Sequence, residues 1–180
     1  MQWQIKEDKR GDSMKKKTAH MGLFLALSMI LSYVESLIPF SFGIPGIKLG
    51  LANLVVVLML YEMGAKEALC VSILRIVLTG FLFGNGFSIL YSLAGGLLSF
   101  LGMLLLKKTG WFKCITVSTA GGILHNIGQV IVASIVVSNY YIFYYIPVLL
   151  IAGTITGFIN GLLSQEIIIR IGKRLPKGGK

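Results

Sequence analysis

The sequence predicts an all-α integral membrane protein with six transmembrane helices in one bundle. Of the 180 residues, 55% are hydrophobic and 13% are charged, and the mean hydropathy is +0.81, which is too apolar for a soluble domain. Several apolar runs approach the roughly 20 residues that a helix needs to cross a bilayer. The basic residues, finally, are concentrated in alternate connections between these runs, a pattern typical of multi-pass membrane proteins.

Six apolar segments follow one another between short connections. Residues 1–17 are polar and mixed in charge, so we expect a disordered basic cytoplasmic tail, with Met14 as a possible true start. A signal peptide is the alternative for the first run, but the run is too long and further spans follow it. The membrane domain should occupy residues 18–171, and residues 172–180 should form a second basic cytoplasmic tail. The predicted spans cover 18–38, 48–63, 65–83, 87–106, 114–137 and 143–169.

The basic residues predict which side of the membrane each connection faces. Fifteen of the 17 lysines and arginines lie in the N-terminal tail, at the C-terminal end from Arg170 onward, at the turn between spans two and three, and in the connection between spans four and five. The other three connections contain none except Lys48. Because cytoplasmic loops are enriched in Lys and Arg, both termini should be cytoplasmic. The net charge of +10 then lies beside an anionic leaflet, and no basic surface typical of nucleic-acid binding is present.

Span six contains a ridge of small residues, Gly153, Gly157 and Gly161, spaced by four. Small residues let helices approach closely where lipid removes the hydrophobic drive for association. We expect this ridge to serve packing within the chain, and contact with a partner or a second subunit is the alternative.

Span one has two distinct faces. Gly22 and Ala26 form a smooth face suited to a partner helix, whereas Ser28, Ser32 and Glu35 share a polar face. The polar face is suited to a cavity.

Two basic residues lie away from the cytoplasmic side. Arg75 is about 15 Å into span three at 1.5 Å per residue, and Lys48 opens span two at the outer face. Ionisable groups at such depth usually line a cavity or pair internally, and Glu35 is the available counter-charge. Gly50 and Asn53 share a face, so Asn53 should face a pocket while Lys48 acts from its rim. The alternatives are a structural pair for Arg75 and snorkelling of Lys48 to the surface.

Span five contributes a polar face at mid-depth. Gly122, Asn126 and Gln129 share this face, and His125 is an i, i+4 neighbour of Gln129. Polar side chains at that depth must find partners in the protein or in a ligand. No other histidine, cysteine or acid has ligand spacing to His125, so no metal site is predicted.

These residues fall in the middle or outer half of the predicted membrane domain, whereas the cytoplasmic half is mostly apolar, with Asn160 as an exception. Such a cluster indicates a pocket that captures an external solute, and its basic members favour an anionic or carboxylate-bearing one. A polar plug without a ligand is the alternative. The candidate binding residues are Glu35, Lys48, Asn53, Arg75, Tyr91, His125, Asn126 and Gln129.

The chain resembles the Gx transporter family, also described as heptaprenyl diphosphate synthase component I, over about residues 15–172. The resemblance rests on Ala19-His20-x-Gly22, Pro45-Gly46-Ile47-Lys48-Leu49-Gly50-Leu51-Ala52-Asn53, Arg75, Leu90-Tyr91-Ser92-Leu93-Ala94-Gly95-Gly96 and His125-Asn126-x-Gly128-Gln129. More distantly, the layout is similar to the substrate-binding S components of energy-coupling factor (ECF) vitamin transporters. That likeness implies six helices in the cytoplasmic membrane of a bacterium, an outward pocket, and a first helix that docks on a transmembrane coupling subunit. The docking residues would be Gly22 and Ala26, where the S-component pattern has Ala-xxx-Ala.

Catalysis by this chain is not predicted. Prenyl diphosphate synthases hold Mg²⁺-diphosphate with paired aspartate-rich motifs, and the only aspartates here are Asp8 and Asp12 in the tail. The chain also lacks a P-loop, so uptake would need partner ATPases or coupling to a gradient. We therefore expect no catalytic residue, no metal and no cofactor.

Three functions remain open from the sequence. The first is a solute-binding subunit for uptake of a small anionic or vitamin-like solute, energised by partner ATPases. The second is a non-catalytic membrane accessory protein of heptaprenyl diphosphate and menaquinone metabolism, or of quinone- or flavin-linked electron transfer. The third is a self-contained oligomeric carrier or channel.

Overall fold

The computed structural model describes residues 2–37, 50–138 and 140–174. Every regular element in these ranges is helical, which confirms the all-α prediction. The elements are α1 (Gln2–Leu37), α2 (Leu51–Glu62), α3 (Ala65–Phe83), α4 (Gly86–Thr109), α5 (Cys114–Val137), a 3₁₀ helix (Tyr140–Tyr145) and α6 (Ile146–Arg174).

Among the described residues, four stretches are long and apolar enough to cross a membrane: Met14–Leu37, Gly86–Thr109, Cys114–Val137 and Tyr141–Ile171. The chain is thus a multi-pass membrane protein by the length and composition of its helices. α2 has only 12 residues, about 18 Å at 1.5 Å per residue, which is shorter than the roughly 30 Å hydrocarbon core. α3 has 19 residues and contains three charged ones, Lys66, Glu67 and Arg75.

α1 differs from the prediction at its N-terminal end. The helix begins at Gln2 and continues without a break into the apolar segment, where the sequence predicted a disordered tail over residues 1–17. Residues 2–13 contain no proline and are rich in Gln, Lys, Glu and Arg, which are good helix formers. Because an existing helix gains one hydrogen bond for each residue added, the apolar segment can propagate helix into this tail.

The packed helices form a closed circuit. α3 packs on α1 and α4, α5 packs on α4 and α6, and α2 joins α6 to α1 while also contacting α3. Close approach of α5 and α6 depends on glycine, since a Cβ added at Gly122 would lie 2.3 Å from the carbonyl oxygen of Gly153. The circuit therefore has tightly packed walls and leaves a space at its centre.

α2 is the most buried helix of the circuit. Six consecutive residues, from Val55 to Leu60, are each at most 4% exposed, and six residues exceed one helical turn. A helix that is apolar and buried all round is enclosed by protein. The side chain of Lys107 donates to the Leu60 carbonyl at the end of this helix and lies 4.7 Å from the centroid of the Tyr61 ring.

Candidate functional site

A cavity of about 170 Å³ lies inside the circuit, and all six α-helices contribute to its wall. The wall is made largely of glycine, hydroxyl and amide residues, with few bulky apolar side chains. Six of the eight predicted site residues line it: Glu35, Asn53, Arg75, His125, Asn126 and Gln129.

Of the other two predicted site residues, one lies away from the cavity wall and the other is not described by the structure. Tyr91 is not part of the cavity wall, and its ring packs against Phe87 with the centroids 5.9 Å apart. Phe87 and Tyr91 share one face of α4, while Ser88 and Ser92 share the next and line the cavity. Lys48 lies outside the described residues.

The start of α2 is anchored from two sides at Gly50. The backbone N–H of Gly50 donates to Glu35 Oε1 at 2.6 Å, and Asn160 Nδ2 donates to the Gly50 carbonyl at 3.0 Å. Gly50 has φ 67°, a left-handed conformation that favours glycine. Asn160 lies midway along α6, so α2 begins beside the middle of that helix. Its N-terminal end, with Gly50 and Asn53, faces the cavity.

Arg75 reaches the cavity from the middle of α3. Its Nη1 lies 3.4 Å from Ser32 Oγ, which is a long hydrogen bond. Its Nε is buried and has no hydrogen-bond partner among the described residues. Buried polar groups are nearly always paired, and a buried charge that lacks partners is costly. The guanidinium group therefore has donor capacity that a ligand could use.

Gln129 of α5 is 3% exposed and lines the cavity. Within the described ranges its side chain forms no hydrogen bond. Asn126, one turn earlier, donates from Nδ2 to the Leu149 carbonyl at 2.6 Å. A Cβ added at Gly95 of α4 would lie 2.7 Å from Gln129 Cγ and 3.2 Å from His125 Cε1, so this glycine gives both side chains their clearance.

Apart from Ser32, which belongs to the predicted polar face of span one, the sequence reasoning missed the hydroxyl groups of the cavity wall. Two sequence patterns could have identified these residues. Ser88 and Ser92 have i, i+4 spacing, and polar positions in α3 and α6 recur at helical spacing. Asn160, noted from the sequence only as a polar exception, donates to the Gly50 carbonyl and lines the cavity. The hydroxyl residues of the wall are Ser32, Ser36, Thr79, Ser88, Ser92, Ser99, Ser118 and Thr156.

The sequence model for heptaprenyl diphosphate synthase component I matches residues 24–167. The chain belongs to this family. The matched region begins within α1 and ends within α6, so it contains nearly the whole cavity wall. The family name denotes one component of a synthase, which implies a partner component and is compatible with a non-catalytic subunit. No curated protein and no solved structure matches the chain.

The ridge of small residues on α6 of this family member faces α5. A Cβ added at Gly157 would lie 2.8 Å from the Ser118 carbonyl oxygen, and one added at Gly161 would lie 2.7 Å from the Cα of Ile115. Ser118 Oγ also donates to the Gly157 carbonyl at 2.8 Å. Gly153, Gly157 and Gly161 are buried in this contact, so they are not a free surface for a second subunit.

The small residues of α1 have different surroundings. Gly22 and Ala26 are exposed, and a Cβ added at Gly22 would meet nothing within 4 Å. In contrast, Ser28 is buried, and Ser32 and Glu35 reach the cavity. α1 therefore directs one face inward and leaves the other uncovered.

The described residues gather no group of three or more His, Cys, Asp or Glu side chains. The titratable residues of the described cavity wall are Glu35, Arg75 and His125. The chemistry available there is charge pairing and hydrogen bonding.

Proposed function

We propose that this chain is a membrane-embedded binding subunit for a small solute that carries an anionic group, and that partner ATPases energise uptake. The observation that carries the proposal is Arg75, whose buried Nε has no protein partner in the described ranges and whose side chain lines a central polar cavity. An arginine at mid-membrane costs at least about 2.5 kcal/mol on insertion scales. Such a residue usually serves a function, and an anion is its natural ligand.

The proposal includes six membrane-inserted helices in an arrangement like that of an S component. The burial of α2 by its neighbours supports this, since a helix shorter than the bilayer can be accommodated inside protein. The packing of α3 between α1 and α4 supports it as well, because α3 can then direct Arg75 inward. Both termini would lie in the cytoplasm of a bacterium, with the cavity opening outward, as the basic residues predict.

The exposed face of α1 supports a coupling partner in the membrane. Gly22 and Ala26 lie beside Leu23, which is 66% exposed, so the face combines small residues with an apolar side chain. Such faces allow close helix–helix contact in lipid. We propose that the transmembrane coupling subunit docks there.

Binding to the purified protein tests this function. In mild detergent, a panel of small carboxylates, vitamins and their precursors is screened by isothermal titration and thermal shift. Arg75→Ala should weaken binding of the selected solute at least about tenfold, the size of a lost charge-assisted hydrogen bond. Arg170→Ala is the matched control, because Arg170 is exposed and pairs with Glu166 on the same helix. If the wild-type protein binds no compound of the panel, the proposal is wrong.

The family name favours a second candidate, a non-catalytic accessory protein of heptaprenyl diphosphate and quinone metabolism. In that case the cavity would recognise the polar head group of a prenyl compound. Deletion of the gene should then change the lipid-extractable quinones while solute uptake stays normal. The reverse result, normal quinones with lost uptake, would favour the binding subunit.

A further inference from the structure

We infer that the ligand of the cavity is bipolar, with an anionic group at Arg75 and, at its other end, a planar edge with adjacent hydrogen-bond donor and acceptor, such as a ring amide, at Gln129. This inference rests on the proposed function and specifies its substrate class. It begins from Arg75 Nε, which is buried and has no hydrogen-bond partner among the described residues, and from Gln129, which is 3% exposed and lines the same cavity.

The two groups belong to separate parts of the wall. Arg75 is on α3 and Gln129 on α5, and both helices pack on the glycine pair of α4: a Cβ at Gly96 would lie 2.8 Å from Cδ1 of Ile76, the residue after Arg75, and a Cβ at Gly95 would lie 2.7 Å from Gln129 Cγ. α3 and α5 thus approach α4 on neighbouring positions, and both side chains face the same cavity. A ligand that satisfies both must present one polar group to α3 and another to α5.

The two groups also need different partners. An arginine has only donors, and its planar fork suits a carboxylate or another oxyanion. A glutamine amide has a donor and an acceptor side by side, so it needs an acceptor and a donor side by side in the ligand. A simple anion would satisfy the Gln129 N–H and leave its oxygen facing a negative charge. One anionic group therefore cannot satisfy both residues.

Further amides line the same cavity. Asn53 lines the cavity, and its side chain forms no hydrogen bond in the described structure. Asn160 uses Nδ2 for the Gly50 carbonyl and also lines the cavity. Amide side chains read the donor and acceptor edges of heterocycles, as glutamine and asparagine do with adenine.

Glu35 limits how much negative charge the ligand can have. Its carboxylate lines the same cavity as Arg75 and accepts from the Gly50 N–H. The formal charges of the described wall are therefore balanced, with one cation and one anion. The extra negative charge of a diphosphate or another polyanion would be repelled by the Glu35 carboxylate. A ligand with a single anionic group has only the charge that Arg75 can neutralise. The volume of about 170 Å³ is below the range of drug-sized sites, so the ligand is small.

Three probes of similar size test the inference on the full chain in detergent. Orotate has a carboxylate and a ring-amide edge, benzoate has a carboxylate on a ring without amides, and uracil has the ring amides without a carboxylate. Orotate should bind at least about tenfold more tightly than either, the effect of one added charge-assisted or paired hydrogen bond. Arg75→Ala should remove the difference in affinity between orotate and uracil. Gln129→Met should remove the difference in affinity between orotate and benzoate. Pyrophosphate, the polyanion control, should bind more weakly than orotate.

Several results would overturn the inference. One is benzoate binding as tightly as orotate through Arg75, which would leave an anion site and the proposed function intact. A second is pyrophosphate binding more tightly than orotate. A third is no binding of the three ring probes while another carboxylate of the wider panel binds through Arg75. If nothing in either panel binds, the proposed function fails as well. Because the comparison of probes uses the wild-type chain, it remains decisive even if a variant does not fold.

Discussion

Gly50 combines three structural features: its backbone conformation, its hydrogen bonds and its position on the cavity wall. It has a positive φ of 67°, its N–H and carbonyl are bound by Glu35 and Asn160, and it lines the cavity. Any side chain at this position would be strained in the left-handed conformation by about 1–2 kcal/mol. An added Cβ would also contact Asn160 Nδ2 at 3.4 Å. The residue thus links the position of α2 to the shape of the site.

Replacement of Gly50 by alanine should therefore affect both stability and binding. Gly110→Ala is the matched control, because Gly110 has φ 72° but nothing within 4 Å of an added Cβ. Both variants should lower the free energy of unfolding by about 1 kcal/mol, measured by thermal unfolding in detergent. Only Gly50→Ala should weaken solute binding in titration. Equal binding by the two variants would show that the start of α2 does not shape the site.

Glu35 has separable roles as an acceptor and as a charge. Glu35→Gln keeps an oxygen that can accept from the Gly50 N–H but removes the negative charge from the cavity wall. Binding of an anionic solute should therefore tighten several-fold, because the repulsion is lost. Glu35→Ala loses the acceptor too and should destabilise the protein by about 1–3 kcal/mol. Titration and thermal unfolding of both variants measure these effects, and weaker anion binding by Glu35→Gln would contradict them.

At the scale of the helices, contact between α5 and α6 requires glycine at the crossing. A Cβ added at Gly122 would lie 2.3 Å from the Gly153 carbonyl oxygen and 3.1 Å from the Cα of Gly157. These are backbone atoms, so they cannot rotate away as a side chain would. The two helices would have to separate, which would also shift Asn126 and its bond to the Leu149 carbonyl.

Gly122→Ala should cost about 1–3 kcal/mol, as overpacking typically does. Gly22→Ala is the control, since it is also in a helix interior but would meet nothing within 4 Å. Alanine has the higher helix propensity, so this variant should be neutral or slightly stabilising. Thermal unfolding of both variants in the same detergent measures the difference. Similar melting temperatures would mean that the α5–α6 contact relaxes more easily than its geometry indicates.

The helices could be predicted from sequence because long apolar runs end at glycine, asparagine and lysine positions that mark their bounds. The observed α3 and α5 have the predicted bounds, 65–83 and 114–137. The polar face of α5 was also accessible, because helical periodicity alone brings Asn126 and Gln129 together.

The depth of α2 could not be predicted in the same way. It depends on the contact between Gly50 and Asn160, which are 110 residues apart in the chain, and no local pattern encodes such a pairing. For this reason Asn160 was noted only as a polar exception and not as a residue of the cavity. Tyr91 was misassigned because depth alone does not specify the face of a helix, and its face packs on Phe87.

For the whole molecule, the two ends of α4 offer the sharpest test of orientation. Gly86 begins α4 beside a connection without basic residues, whereas Lys107 and Lys108 lie in its last turn and Trp111 follows.

Single cysteines are introduced by Gly86→Cys and Trp111→Cys in a chain with Cys70→Ser and Cys114→Ala. Both positions tolerate the change, because an added Cβ at Gly86 meets nothing within 4 Å and Trp111 is 88% exposed. In intact cells, a membrane-impermeant maleimide should label Gly86→Cys, and it should label Trp111→Cys only after permeabilisation, because basic connections remain cytoplasmic. The opposite labelling would place the basic ends outside and would reverse the proposed orientation of the chain.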